Sequence, residues 1–249
     1  MARLENKVAV VTGGNSGIGF ATAKRFVEEG ARVIITGRRA DAVEKAAKDL
    51  GGNVVGLVAD ASTLADTDKL VEQLKEHTDH VDVLFLNAGI APMAPLTESD
   101  EAMFDSTFNT NVKGPLFTIQ KALPLLKGGS SVFINASVVT DKGLTGSSIY
   151  SASKGAVRTM VRVLAAELAP HGIRVNALSP GPIGTPLWSK TGMSEEDTQG
   201  MGEQLGKTVP LGRFGEPEEM AGVAVFLASD DSSYVTGADI QADGGFAQV

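Results

Sequence analysis

Cysteine is absent from all 249 residues, which excludes a disulfide framework, a thiolate nucleophile and thiolate-ligated zinc. Aromatic residues make up only 5% of the chain, with two tyrosines and one tryptophan, so each is conspicuous where it occurs. No apolar run approaches the roughly 20 residues that cross a bilayer, and a membrane is not an expected partner. Positive charge is in deficit, with 22 Lys and Arg against 30 Asp and Glu for a formal net charge of −8. Such a surface repels phosphate backbones, and no cluster of Lys and Arg interleaved with aromatics offsets it, so nucleic acid is not expected either. Histidine occurs three times, at His77, His80 and His171. The first two lie in the polar stretch "KEHTDHVD", a solvated face, and no metal site is expected. The opening "MARLENKVAVVTG" enters an apolar strand with no long h-region and cleavage site before it, so no signal peptide is expected and cytoplasmic is the default location.

What remains, 43% hydrophobic and 21% charged, is the composition of a globular α/β protein. Short β-branched runs recur at 7–11, 32–36, 53–59, 81–86, 131–135 and 173–178, with a last strand near 238–241. Runs of this kind are strands buried on both faces of a parallel sheet. Helical periodicity fills the intervals at 17–30, 41–50, 66–77, 100–127, 148–170 and 217–228. The alternation predicts right-handed βαβ units and a doubly wound Rossmann-type sheet, a three-layer α/β/α sandwich in one domain over 1–249. Gly30, Gly51 and Gly172 fall where helices end, positions that suit a left-handed C-cap. One stretch breaks the rhythm: residues 181–215 are rich in Gly, Pro and Thr, and a substrate lid is expected at about 185–215, its apolar lining drawn from Leu187, Trp188, Met193 and Met201.

Ligands of open α/β sheets bind beyond the carboxyl ends of the strands. After the first strand comes "TGGNSGIGFATA", where Gly13, Gly17 and Gly19 allow either a purely steric turn or the close approach of a pyrophosphate to a helix N-terminus. After the second come Gly37, Arg38 and Arg39, with no acid before Asp41. A carboxylate here would accept from a ribose 2′-OH, whereas a guanidinium grips a 2′-phosphate; NADP(H) is therefore expected over NAD(H), with Arg38 the main contact and Arg39 beside it. Two solvated loop arginines would read the same way. In "SIYSASKGA", Tyr150 precedes Lys154 by four positions, which puts phenol and ammonium on one helix face. A free phenol has a pKa near ~10, and a neighbouring cation lowers it; about three units of lowering correspond to roughly 4 kcal/mol of differential stabilisation. The small residues around the pair leave room for a flat cofactor.

The T-G-x-x-x-G-x-G spacing, the "LNAGI" stretch at 86–90, the Tyr-x-x-x-Lys pair and the "LSPGPIGTP" turn together resemble the short-chain dehydrogenase/reductase family, in order and over essentially the whole chain. The resemblance implies that Ser137 positions a carbonyl, Tyr150 transfers the proton, Lys154 binds the nicotinamide ribose and lowers the tyrosine's pKa, and Asn111 holds a water of a proton relay. It implies dinucleotide contacts from Gly13, Asn15, Ser16, Gly17, Ile18 and Gly19, from Asp60 and Ala61, from Asn87, Ala88 and Gly89, and from Pro180, Gly181, Ile183 and Thr185 around the nicotinamide. Leu86 stands where many members carry a first asparagine. The implied activity is interconversion of a ketone or aldehyde and its alcohol, a small-molecule substrate, by a homotetramer built from the long fourth and fifth helices and the C-terminal segment. Two alternatives stay open: a 3-oxoacyl-carrier-protein reductase, against which Ala165 and Ala166 stand where an arginine is expected, and a non-catalytic dinucleotide sensor.

Overall fold

The computed structural model describes residues 2–52, 54–186 and 206–249; the expected lid residues Leu187, Trp188, Met193 and Met201 lie outside the described residues. The strands are β1 (Val8–Val11), β2 (Arg32–Gly37), β3 (Val55–Val58), β4 (Val81–Leu86), β5 (Leu126–Asn135), β6 (Arg174–Pro180) and β7 (Asp239–Ala242). The helices are α1 (Gly17–Glu28), α2 (Ala40–Leu50), α3 (Leu64–His77), α4 (Glu101–Phe108), α5 (Gly114–Ala122), α6 (Ser148–Leu168) and α7 (Pro217–Ala228). The seven strands form one sheet in the order β3-β2-β1-β4-β5-β6-β7, every pair parallel. This is the Rossmann-type sheet that the alternation predicts. The order reverses between β1 and β4, so the chain leaves these two strands in opposite directions and opens a crevice at their carboxyl ends.

Both faces of the sheet are covered, and the strands show it residue by residue. Val8 and Val10 of β1 pack with α3, α5 and α6 on one side, while Ala9 and Val11 pack with α1, α2 and α7 on the other. Phe85 and Phe133 face the second layer from adjacent strands, stacked with ring centroids 4.5 Å apart. Each fully buried side chain of this size contributes about 1.5–3 kcal/mol from burial. Two helix starts are closed by N-cap side chains: Thr63 accepts from Asp66 N at the start of α3, and Asp100 from Met103 N at the start of α4.

Three expectations need correction. The helix expected over 100–127 is broken: α4 runs into a π-helical turn at Asn109–Lys113 before α5, and a 3₁₀ turn at Leu123–Leu125 leads into β5, which begins at Leu126 rather than at 131. Tertiary contacts cause the break. The buried Asn111 amide bonds both backbone groups of Ile90, and α5 presses so closely on the loop after β3 that a Cβ at Gly114 would lie 2.2 Å from Ala61 O. Early β5 is polar, and within it Ser130 Oγ donates to Val81 O at 2.7 Å beside an irregularity in the β4–β5 register. Gly172 is left-handed as expected (φ 72°, ψ 18°), whereas Gly51, with φ 67° and ψ −166°, adopts a different glycine conformation. The 181–215 excursion is closed at its base, where Gly184 N donates to Gly215 O and Gly215 N to Pro182 O, both at 2.9 Å.

Candidate active site

The polar atoms at the carboxyl ends of β1, β4 and β5 form a brace. Thr12 Oγ1 accepts from Asn87 N and Ala88 N at 3.0 and 3.1 Å, and the Asn87 side-chain amide returns both its protons, to Thr12 O and Gly13 O. Asn135 Nδ2 donates to Asn87 Oδ1 at 3.1 Å, and Asn135 O accepts from Lys154 Nζ at 2.6 Å. One chain of hydrogen bonds thus links the glycine turn to the helix that carries Tyr150. Asn87 braces the turn, and its side chain has no proton left for a ligand.

Above this brace lies a cleft of about 650 Å³. Gly13, Asn15, Ser16, Gly17, Ile18, Arg38, Arg39, Asp60, Ala61, Asn87, Ala88, Gly89, Tyr150, Lys154 and Thr185 line it, all of them residues singled out in the sequence. A second cavity, of about 120 Å³, adjoins it and is lined by Ser137, Pro180, Gly181 and Ile183. Tyr150, Asn135, Ile18, Ala91 and Thr185 belong to both. Asn111 and Gly19 line neither. Gly19 is required for packing instead, since a Cβ there would fall 2.3 Å from Gly13 O.

Tyr150 therefore stands at the junction, with Ser137 on the small-cavity side and Lys154 on the cleft side. Its ring centroid is 5.7 Å from Lys154 Nζ, the i, i+4 placement that the helix dictates. Burial raises the phenol above its ordinary value, and the hydrogen bond to Ser137 opposes that rise. The sequence led to the opposite expectation, a phenol lowered by the lysine. The reason for the difference is that burial acts on both groups: Lys154 is itself lowered to about 8 by desolvation. Asn111, 1% exposed in the π-helical turn, donates to Ile90 O and Ser153 Oγ and accepts from Ile90 N, which leaves only acceptor capacity for a water. π-Helical turns of this kind recur at functional sites.

The cleft fits a dinucleotide by its backbone. Gly13 and Gly17 have φ of 64° and 53°, open to glycine alone at low cost, and Ser16, the N-cap of α1, makes no side-chain capping bond, so the first helical N–H groups stay available to an anion. A side chain at Gly37 would collide with Asn15 Oδ1 at 2.5 Å. Arg38 and Arg39 are exposed at the far end, and neither guanidinium is in an ion pair among the described residues. Asp60, by contrast, has one carboxylate oxygen committed to Ser62 N and Oγ at 2.9 and 2.8 Å.

Sequence reasoning missed Thr12, Asn135 and Phe246. The first two end β1 and β5 at the sheet edge where ligands gather, a signal strong enough to have found them. Phe246, which lines the small cavity, comes from the C-terminal turn and carries no local signal.

Comparison with known proteins gives a consistent result. A family model described as enoyl-(acyl carrier protein) reductase matches residues 13–247. The chain is 43% identical to an oxidoreductase of Sarocladium schorii over 99% of its own length and 98% of the relative's. It is 41% identical to the 3-oxoacyl-acyl-carrier-protein reductase of Thermotoga maritima (98% of each chain) and 40% identical to the NADP-dependent (R)-specific alcohol dehydrogenase of Lentilactobacillus kefiri (98% of each). Among solved structures, levodione reductase superposes with a TM-score of 0.93 at 32% identity, covering 98% of this chain and 99% of that one.

Proposed function

The chain belongs to the short-chain dehydrogenase/reductase family and is an oxidoreductase, and from that premise we propose that it interconverts a ketone or aldehyde and its alcohol with NADP(H), Tyr150 serving as general acid and base. One observation carries the reading: Tyr150 is shared by the long cleft and the small cavity, with a serine hydroxyl on one side and an ammonium on the other. The glycine turn and the α1 N-terminus would hold a pyrophosphate, Arg38 and Arg39 a 2′-phosphate, and Lys154 with the 180–185 turn the nicotinamide end. A bound nicotinamide dinucleotide supplies or accepts the hydride.

The chain's own groups handle the proton. Ser137 donates to a substrate oxygen and fixes it beside the phenol. With its pKa raised by burial, Tyr150 keeps its proton at neutral pH and is ready to give it to an oxygen that is gaining charge. Lys154, an ammonium below about pH 8, then stabilises the phenolate left behind. Oxidation of an alcohol runs the same transfer backwards and needs the phenolate first, so it is favoured at higher pH than reduction. The Asn135 carbonyl holds the ammonium in place, and Asn111 offers an acceptor to a water that returns the proton from solvent.

A second reading, a 3-oxoacyl-carrier-protein reductase, is favoured by the Thermotoga maritima relative. Ala165 is buried and Ala166 exposed on α6, with no arginine at either position for an acidic carrier. Turnover of NADPH and NADH measured on one panel of alkyl and aryl ketones, an acetoacetyl thioester and an enoyl thioester tests these readings together. The proposal expects ketone reduction with NADPH well ahead of NADH; activity on the acetoacetyl thioester alone would move the assignment to the second reading, activity on the enoyl thioester alone would contradict both, and dinucleotide binding without any turnover would leave only a sensor.

A further inference from the structure

We propose that Phe246 sets the size of substituent that the substrate can carry on its carbonyl carbon, and that the substrates are compact, uncharged ketones or aldehydes with apolar substituents. This deepens the reading of the site given above and rests on it. The small cavity that adjoins Tyr150 and Ser137 holds about 120 Å³, well under the ~300–1,000 Å³ of ordinary ligand pockets. Its walls are apolar, with Met93, Val138, Leu144, Ile183 and Phe246 among them, and none of its described lining residues is charged. A carboxylate or phosphate on the substrate would enter this space with no cation lining it among the described residues.

Phe246 is held there from two directions. The C-terminal turn is fastened by Asp243, a buried carboxylate that accepts from Gly245 N at 2.9 Å and Ala247 N at 2.8 Å. That turn in turn lies against the loop after β6: Gly181 N donates to Ala242 O at 3.0 Å, and a Cβ at Gly181 would come within 2.5 Å of Asp243 Cβ. From the other side, Lys142 Nζ sits 4.0 Å over the Phe246 ring and donates to Phe246 O at 2.8 Å. Lys142 belongs to the turn that follows Ser137, and Val138 of the same turn packs on Phe246. The serine that receives the substrate oxygen and the ring that faces its substituent are therefore positioned by one segment. Phe246 acts by contact with substrate, and Lys142 is its positioning residue.

The experiment is kcat/KM along a series of linear methyl ketones of increasing length, with a 2-oxo acid of matched size beside one member, for the wild type, Phe246→Leu, Phe246→Ala and Lys142→Met. NADPH affinity and the thermal midpoint are measured on each variant, and Phe246→Leu covers the case in which the alanine variant folds poorly. The wild type should favour short members and discriminate strongly against the oxo acid. Both Phe246 variants should move the optimum to longer ketones, changing the long-to-short ratio by about tenfold or more, and Lys142→Met should move it less but in the same direction, with NADPH affinity unchanged throughout. A uniform change along the series in the Phe246 variants, or preference for the oxo acid, overturns the inference while leaving carbonyl reduction intact. Absence of wild-type turnover on every ketone overturns the underlying reading of the site instead.

Discussion

Lys154, at the carboxyl end of the sheet, is held differently from the charges at the amino end. At the amino end, charges meet partners: Glu29 accepts from Arg3 N at 3.0 Å, lies 3.1 Å from the guanidinium nitrogens of both Arg3 and Arg25, and is lowered to about 2 chiefly by those Arg3 bonds. Lys7 reaches Asp230 at 3.2 Å, and Asp82 accepts from Val8 N at 2.7 Å. At the carboxyl end, Lys154 is 4% exposed and has no carboxylate within ion-pair distance among the described residues; a backbone carbonyl is its hydrogen-bond partner, and desolvation lowers it to about 8. An ammonium held this way costs stability, which is the arrangement expected if Lys154 serves the proposed chemistry. The amino-end charges named here are paired, whereas Lys154 at the carboxyl end has no carboxylate partner among the described residues.

The sharpest way to break this contrast is Lys154→Met. Turnover should be lost, while the variant gains stability relative to the wild type at neutral pH. The sign follows from the lowered lysine: below about pH 8 the folded protein must bury a charged group, and the penalty fades as pH rises from about 8 toward the ordinary 10.5. The shift corresponds to on the order of 3 kcal/mol, reduced in the variant by the orphaned Asn135 carbonyl. Thermal midpoints of the two proteins at pH 7 and pH 10 check it, since the gap should narrow at the higher pH. A variant less stable at both would place Lys154 among the structural charges.

Arg38→Ala tests the far end of the cleft, where the proposal puts a 2′-phosphate beside a guanidinium that is in no ion pair among the described residues. KM for NADPH should rise by about tenfold or more, the worth of a charge-assisted hydrogen bond, with KM for NADH nearly unchanged. Equal effects on both cofactors would make the arginine a general electrostatic feature. The smallest effect belongs to the amino end. Glu29→Gln should leave kcat and KM alone and lower the thermal midpoint slightly at neutral pH. Because the carboxylate is lowered, its contribution is present above about pH 4.5 and lost as pH falls toward 2, so the variant should also show a flatter midpoint-versus-pH curve over that range.

Much of the fold and of the candidate site was legible because both are carried by short-range patterns. β-Branched runs located the strands, and the strand ends located the cleft. The i, i+4 pair of Tyr150 and Lys154 needed only a helix to become a geometry. What the sequence concealed is tertiary. The π-helical turn at Asn109–Lys113 exists because Asn111 is drawn to Ile90, twenty-one residues away in the chain, and the helical pattern around it is only blurred. The direction of the phenol's shift depends on how deeply two neighbours are buried together, which spacing does not encode. Phe246 reaches the small cavity through the β6–β7 pairing and a cation from the turn after β5, both of them long-range contacts.

The central claim is that the Tyr150 phenol delivers the proton on which carbonyl reduction depends. It is tested most directly by a single-turnover experiment in which Tyr150→Phe, loaded with NADPH, is mixed with a ketone that the wild type reduces, and loss of the reduced nicotinamide absorbance is followed. The account predicts NADPH binding as tight as in the wild type and reduction slower by about 10²–10⁴-fold; reduction at close to the wild-type rate would contradict it.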